Sequence, residues 1–250
     1  MLGLPDDIRA FLFDLDGVLT RTAEVHAAAW KDTFDTFLRA EAARTGGQFV
    51  PFDAVTDYDA YVDGRPRLDG TRTFLRSRGV DLPEGTDADP PNARTVQGIS
   101  LAKNDTVLRM IREQGVRPYE GSVAYVRRLQ ALGLPSAVVS SSANCHDVLR
   151  AAGIEELFDL IVDGVVAKRE GLPGKPAPDT YLYAARTLGV EPAHAAVFED
   201  ALAGVASGRA GGFGAVVGVN RTGQAAELRR DGASVVVDDL AELLAAEEDA

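Results

Sequence analysis

The chain has 250 residues but a single cysteine, Cys145, and no uninterrupted apolar run of the length a membrane span needs, about 18 residues. One cysteine excludes a disulfide framework and fits a reducing compartment, so a cytoplasmic protein is expected. The first nine residues include Asp6 and Asp7 and no apolar stretch, which predicts no secretory signal. Positive charge is scarce too. A formal net charge of −12 argues against a nucleic-acid or anionic-membrane partner, since either would demand a basic face. No G-x-G-x-x-G follows the first apolar run, so the glycines that a dinucleotide pyrophosphate requires are missing. Internal repeats and low-complexity tracts are also lacking. Apolar residues are plentiful: at 46% they can fill a sizeable globular core. The length allows one large domain or a domain carrying an insertion.

The organising stretch is 11–20, FLFDLDGVLT. Its apolar start, 11–14, reads as a buried strand of a parallel sheet. Asp14 and Asp16 stand at the carboxyl end, where open α/β sheets bind ligands, and the chain turns at Gly17. Alternation along a strand would point both carboxylates into one crevice. Two charges there are costly without a metal or hydrogen bonds to compensate them. D-x-D-G is equally ordinary turn chemistry.

Beyond residue 22 the character changes. Segments 23–44, 71–78 and 100–114 read as helices, the first with Ala27, Trp30, Phe34, Phe37 and Leu38 at helical spacing. The polar stretch 80–96, rich in Pro and Asp, reads as a surface loop, and the whole segment reads as a helical insert without strands. From Gly115 onward strands and helices alternate. Strands are predicted at 136–140, 160–162, 195–199, 215–219 and 235–237, and helices at 123–132, 144–152, 178–188, 202–210 and 224–231. The predicted fold is α/β: a Rossmann-like parallel sheet covered by helices on both faces, with an inserted α-helical cap. The core takes residues 1–21 and 115–250 and the cap 22–114, with hinges at 20–22 and 115–119. The last four residues, EEDA, are expected to fray.

Three further strand ends carry polar groups. Residues 140–144, SSSAN, offer hydroxyls and backbone N–H groups before a helix, either as an anion site or as a plain N-cap. Lys175 sits in GKPAPD, where a stiff loop could present a fixed charge to a phosphate; a solvated lysine is the alternative. Glu199 and Asp200 end another strand, with Gly204 close behind. They are hard oxygen ligands suited to Mg²⁺, or else capping groups of the next helix. In a parallel sheet all of these converge on one edge. An aspartate nucleophile, a lysine and Mg²⁺ are what phosphoryl transfer needs.

FDLDGVLT, VVSSSAN, GKPAPD and FEDALAG, in this order, resemble the motifs of the haloacid dehalogenase superfamily, and the position of the insert resembles its helical-cap subclass. A narrower resemblance is to the β-phosphoglucomutase family. It rests on Thr22, Ala23, His26 and Trp30 (T-A-x-x-H-x-x-x-W), on Gly64 to Arg67 (G-x-x-R), on Lys103–Asn104 and on K-P-A-P-D at Lys175. The resemblance implies Asp14 as nucleophile and Asp16 as general acid/base. Mg²⁺ would lie on Asp14, Glu199, Asp200 and the backbone carbonyl of Asp16. Ser140 and Lys175 would take the transferring phosphoryl. Arg67, Lys103, Ser142 and Asn144 would take the other phosphate, with Ser141 beside them. Gly64 and Arg65 would lie against the sugar, and His26 would couple cap closure to Asp16. His26 and Trp30, four apart on one helix face, could instead be cap packing, and Arg67 and Lys103 solvated helix charges.

The implied activity is a Mg²⁺-dependent mutase converting β-D-glucose 1-phosphate to glucose 6-phosphate through the 1,6-bisphosphate. The alternatives are a sugar-phosphate phosphatase on the same residues and a non-catalytic phosphosugar-binding module. The expected partner is a small phosphosugar, and the expected state a monomer. Arg21, Ala143, Gly70 and the long stretch 80–96 depart from the family pattern.

Overall fold

The computed structural model describes residues 2–91 and 93–248. The chain divides into two compact units, Met1–Arg21 with Val116–Ala250, and Thr22–Gly115.

The first unit is built on a six-stranded parallel sheet. Its strands are β1 (Ala10–Phe13), β2 (Ser136–Val139), β3 (Leu160–Val162), β4 (Ala195–Glu199), β5 (Ala215–Val219) and β6 (Val235–Val237), in the spatial order β3-β2-β1-β4-β5-β6. The expected parallel α/β sheet is therefore present. β1 lies at its centre, between β2 and β4, where the strand order reverses; ligands of open α/β sheets bind at such a switch point. Register fixes which residues meet at the strand ends: Phe13 pairs with Val138 on one side and Phe198 on the other. Asp14 therefore leaves β1 beside Glu199, with its own N–H donating to the Phe198 carbonyl at 2.9 Å.

Strand alternation explains how both sheet faces are buried. Ala10 and Leu12 join Ala137, Val139 and Val197 in a core closed by Tyr181, Ala184 and Ala185 of a helix over Asp179–Thr187. Phe11 and Phe13 face the other way. There they pack with Phe198 and with Tyr125, which lies on a helix over Glu120–Ala131. Phe13 and Phe198 stack at 4.4 Å, a contact worth about 0.5–1.5 kcal/mol beyond the area it buries. Four strands have the expected limits, while the first two each end one residue early. β1 stops at Phe13 and β2 at Val139, so Asp14 and Ser140 are loop residues at the mouth of the sheet. Strand alternation consequently does not govern Asp14 and Asp16; the loop does.

In chain order the helices are α1 (Ala23–Thr45), α2 (Arg67–Ser77), α3 (Val96–Gln114), α4 (Glu120–Ala131), α5 (Cys145–Ala152), α6 (Gly164–Glu170), α7 (Asp179–Thr187), α8 (Leu202–Ala210), α9 (Ala225–Asp231) and α10 (Ala241–Glu248). The sequence reading lacks α6, which Asp163 caps by accepting from the N–H groups of Val165 and Val166. It also lacks a π-helical turn at Tyr58–Val62. α10 extends into the EEDA stretch as far as Glu248, while Asp249 and Ala250 lie outside the described residues.

The second unit comprises α1, the π-helical turn, α2 and α3, and no strand occurs among its described residues. Its core is aromatic. Phe34 lies 4.8 Å from Trp30, 5.3 Å from Phe52 and 4.1 Å from Phe74, with Val62, Leu75 and Ile99 around them. The polar stretch 80–96 is pinned to this unit. Val96 and Gln97 donate to the Pro83 and Glu84 carbonyls, and Arg72 binds the Glu84 carboxylate. No helix among the described residues is long and apolar enough to cross a membrane.

Candidate active site

The loop after β1 folds back on itself. The Gly17 N–H donates to the Thr20 carbonyl at 2.8 Å, and the N–H groups of Leu19 and Thr20 both donate to the Leu15 carbonyl. Gly17 takes φ +85°, and a Cβ there would stand 1.7 Å from Oδ2 of Asp200. The turn thus demands glycine twice, for its backbone angle and for its approach to a carboxylate. Gly204 is required for a similar reason: a Cβ would lie 1.9 Å from the Glu199 carboxylate. The N-cap of α8 is Ala201, so Asp200 is not the capping residue of that helix.

Asp14, Glu199 and Asp200 are all buried, and each offers an oxygen within 4.8 Å of the others. Lys175 lies among them at 3% exposure. Its Nζ pairs with Asp14 Oδ1, lies 2.7 Å from Glu199 Oε1 and donates to the Val139 carbonyl at 2.9 Å. Glu199 Oε1 also accepts from the Tyr181 hydroxyl at 2.7 Å. Three buried carboxylates therefore cluster with one ammonium, which pairs with two of them. Such an excess of negative charge, on hard oxygen donors alone, fits a divalent cation such as Mg²⁺. Burial holds the Asp14 carboxyl well above the usual carboxylate range; Lys175 opposes this, and Glu199 and Asp16 add to it. For Lys175 burial works to lower the pKa, but Asp14 and Glu199 outweigh it and keep the ammonium charged.

An ammonium has three N–H donors, and all three of Lys175 are matched by protein oxygens. These contacts make the lysine a counter-ion beside Asp14, and the expected contact with a phosphoryl oxygen would replace one of the three partners.

Ser140, 3% exposed, follows β2 beside the Asp14 loop. Its Oγ accepts from the Ser142 N–H at 3.1 Å, which leaves its own hydrogen to donate. Ser142 Oγ in turn accepts the Asn144 N–H at 3.1 Å. Asn144 occupies the N-cap position of α5 but makes no side-chain capping bond. Ser141 and Ser142 pack against Gly164, where a Cβ would lie 2.8 Å from the Ser141 carbonyl oxygen. Asp16 is partly exposed, unlike Asp14.

The remaining predicted residues belong to the helical unit. Lys103 on α3 is 5% exposed; its Nζ lies 3.0 Å from His26 Nδ1 and 4.8 Å from the Trp30 ring centre. Trp30 itself is 3% exposed and belongs to the aromatic core, so its structural role is packing beneath Lys103. Arg67 opens α2 and donates through Nη1 to Asn104 Oδ1. Its Nε is buried with no hydrogen-bond partner. Burial lowers the guanidinium pKa, with Asp105 opposing. Gly64, at φ +67°, and Arg65 form the turn just before α2.

A family model described as haloacid dehalogenase-like hydrolase matches residues 8–212. The chain is 55% identical over 247 residues to a Mycobacterium bovis protein named β-phosphoglucomutase, covering 98% of this chain and 94% of that one. The chain belongs to the haloacid dehalogenase superfamily, in its β-phosphoglucomutase-like branch. Its fold matches the crystal structure of β-phosphoglucomutase from Clostridium difficile, with a TM-score of 0.73, 26% identity and 96% of each chain covered. A crystal structure of a CbbY variant from Rhodobacter sphaeroides in complex with xylulose-1,5-bisphosphate matches with a TM-score of 0.67 at 25% identity, covering 94% of this chain and 96% of that one.

Two of the departures from the family pattern, Gly70 and Arg21, make specific local contacts. Gly70 permits close packing: its Cβ would stand 3.2 Å from Val62 Cγ1. Arg21 lays its guanidinium 4.5 Å from the Tyr119 ring centre. Ala143 is exposed, and nothing in the structure explains it. Tyr181 is the site residue that the sequence reading missed. It lies inside an amphipathic helix, where an aromatic reads as core, and only the fold shows its hydroxyl on Glu199.

Proposed function

We propose that this superfamily member is a Mg²⁺-dependent β-phosphoglucomutase, interconverting β-D-glucose 1-phosphate and glucose 6-phosphate. The observation that carries the reading is the full-length 55% identity to a protein of that name, joined to a buried Asp14 held by Lys175. In the forward direction phosphorylated Asp14 meets β-glucose 1-phosphate. The bond from Asp14 Oδ to phosphorus breaks, a bond from the sugar O6 forms, and the O6 proton passes to Asp16. The 1,6-bisphosphate then turns round. Its O1–P bond breaks, Asp14 is phosphorylated again, and Asp16 returns a proton to O1. Atoms and charge balance over the cycle.

Mg²⁺, held by Asp14, Glu199, Asp200 and the Asp16 carbonyl, would neutralise phosphoryl oxygens. Lys175 keeps Asp14 in place, and the Ser140 hydroxyl donates to the transferring group. Arg67 and Lys103 are the cations assigned to the phosphate that stays on the sugar. They gather positive charge locally on a chain of net charge −12.

The second half-cycle uses the proton that Asp16 took from O6 in the first. Water competing for phosphorylated Asp14 is what separates a mutase from a phosphatase. Phosphorus NMR with Mg²⁺, β-glucose 1-phosphate and a trace of the 1,6-bisphosphate tests this directly. Growth of glucose 6-phosphate with little inorganic phosphate is expected. Inorganic phosphate as the main product would make the protein a phosphatase.

A further inference from the structure

The loop after β5, residues 220–224, lies outside the four phosphotransferase motifs, yet it reaches both acidic loops. Arg221 Nε donates to the Gly17 carbonyl at 2.7 Å. Gln224 Nε2 donates to the Asp200 carbonyl at 3.1 Å. Gln224 is the N-cap residue of α9 but makes no capping bond with its side chain, which goes to Asp200 instead.

Arg221 is fixed in turn. Its Nη1 donates to the Asp238 carbonyl at 2.7 Å, and its guanidinium lies 3.5 Å from the Tyr119 ring centre. Its Nη2 is buried with no hydrogen-bond partner. A planar fork with donors in fixed directions meets all three constraints at once, which a lysine's single point charge does not.

The consequence falls on Gly17. Its N–H is held by the Thr20 carbonyl and its C=O by Arg221, so both polar groups of this residue are fixed. Gly17 is also the backbone against which the Asp200 carboxylate rests, at a distance that excludes a Cβ. The residue before it is Asp16. One loop thus grips the β1 carboxylate loop through Arg221 and the β4 carboxylate loop through Gln224.

We propose that Arg221 and Gln224 are positioning residues that set the spacing of the two acidic loops, and so tune the divalent-cation site and the placement of Asp16. This rests on the reading of Asp14, Glu199 and Asp200 as a cation site. Residues that orient metal ligands without touching the metal change affinity or activity by about 10- to 100-fold when removed.

The test is Mn²⁺ binding by electron paramagnetic resonance, with kcat, KM and thermal midpoint, on wild type, Arg221→Met, Arg221→Lys, Gln224→Met and Asn220→Ala. Asn220 binds Asp238 through its amide at 2.8 Å and is the control for disturbing that segment alone. Arg221→Met and Gln224→Met are expected to weaken Mn²⁺ binding about 10-fold or more and to lower kcat with KM for the sugar phosphate unchanged. Arg221→Lys should recover part of the loss, and Asn220→Ala should match wild type in binding. Folded Arg221→Met with wild-type Mn²⁺ affinity would overturn the proposal. If Arg221→Met does not fold, Gln224→Met decides it, and unchanged affinity there overturns it equally. A wild-type protein that binds no Mn²⁺ would instead sink the cation-site reading, and this proposal with it.

Discussion

In the α/β core a single ammonium, Lys175, stands among Asp14, Glu199 and a backbone carbonyl, with Asp200 alongside. In the helical unit, buried Lys103 and half-buried Arg67 keep different company. The partners of Lys103 include an imidazole and an indole face, and Arg67 donates to the Asn104 amide oxygen. The core's surplus is negative and calls for a cation. The cap's two groups are positive, which suits the phosphate of the proposed substrate. The core sets its charges by strand register: Phe13 opposite Phe198 puts Asp14 beside Glu199. The cap sets its charges by packing three helices around aromatic side chains, with Lys103 and Arg67 arriving from different helices.

The sharpest way to break this comparison is to remove Asp14, the proposed nucleophile of the core. Asp14→Asn should lower turnover by at least ~10³-fold and leave no acid-stable phosphoprotein precursor to trap. A protein that acts only by binding phosphosugars would keep its ligand affinity in this variant.

Lys175→Met should come next, because it strands buried carboxylates. Breaking a buried ion pair from one side costs about 3–5 kcal/mol, so a fall in thermal midpoint should accompany a fall in turnover. The pH dependence arises from Asp14. Its folded pKa is raised, chiefly by burial, so its contribution to stability is fully present below the unfolded carboxyl pKa and is lost as pH rises through the folded value. Metal-free protein in chelator should therefore lose thermal stability as pH climbs out of the acid range. Added Mg²⁺ should restore it by binding the folded state alone. A flat profile in chelator would argue against the buried negative surplus.

In the cap, Arg67→Met should raise KM for the sugar phosphate about 10-fold or more, the loss of one charge-assisted contact, while the core's cation binding stays unchanged. A drop in cation affinity would mean that the two regions do not divide the work in this way.

The smallest effect belongs to Glu41, which Arg44 and Arg94 hold at 2.8 and 2.7 Å and whose carboxyl they lower to about 2. Because its folded pKa is depressed, the contribution is present above the unfolded value and is lost as pH falls through about 2. Glu41→Gln should cost about 1 kcal/mol or less near neutral pH, read from urea unfolding, since exposed pairs contribute little.

The sequence by itself determined the class of fold, the helical insert and the members of the acidic cluster. Periodicity of two and 3.6 is a local property, and the patterns at 195–199, 215–219 and 202–210 recur as β4, β5 and α8 with the expected limits. Motif order was enough to single out Asp14, Asp16, Glu199, Asp200, Ser140 and Lys175. Trp30 illustrates the limit of such reading. Its spacing from His26 puts both on one face of α1, but only the packed unit shows the indole buried at 3% exposure beneath Lys103.

Only the tertiary structure decided what each group touches. Lys175 spends its three donors inside the protein, Tyr181 serves Glu199 from the buried face of an amphipathic helix, and Gly17 and Gly204 are small because carboxylates lie against them. Arg221 acts from a loop 204 residues away along the chain from Gly17. The physical reason is the same in each case. Periodicity and turn chemistry are set by neighbours in sequence, whereas electrostatic and hydrogen-bond partners are set by proximity in space, which strand order and helix packing alone establish.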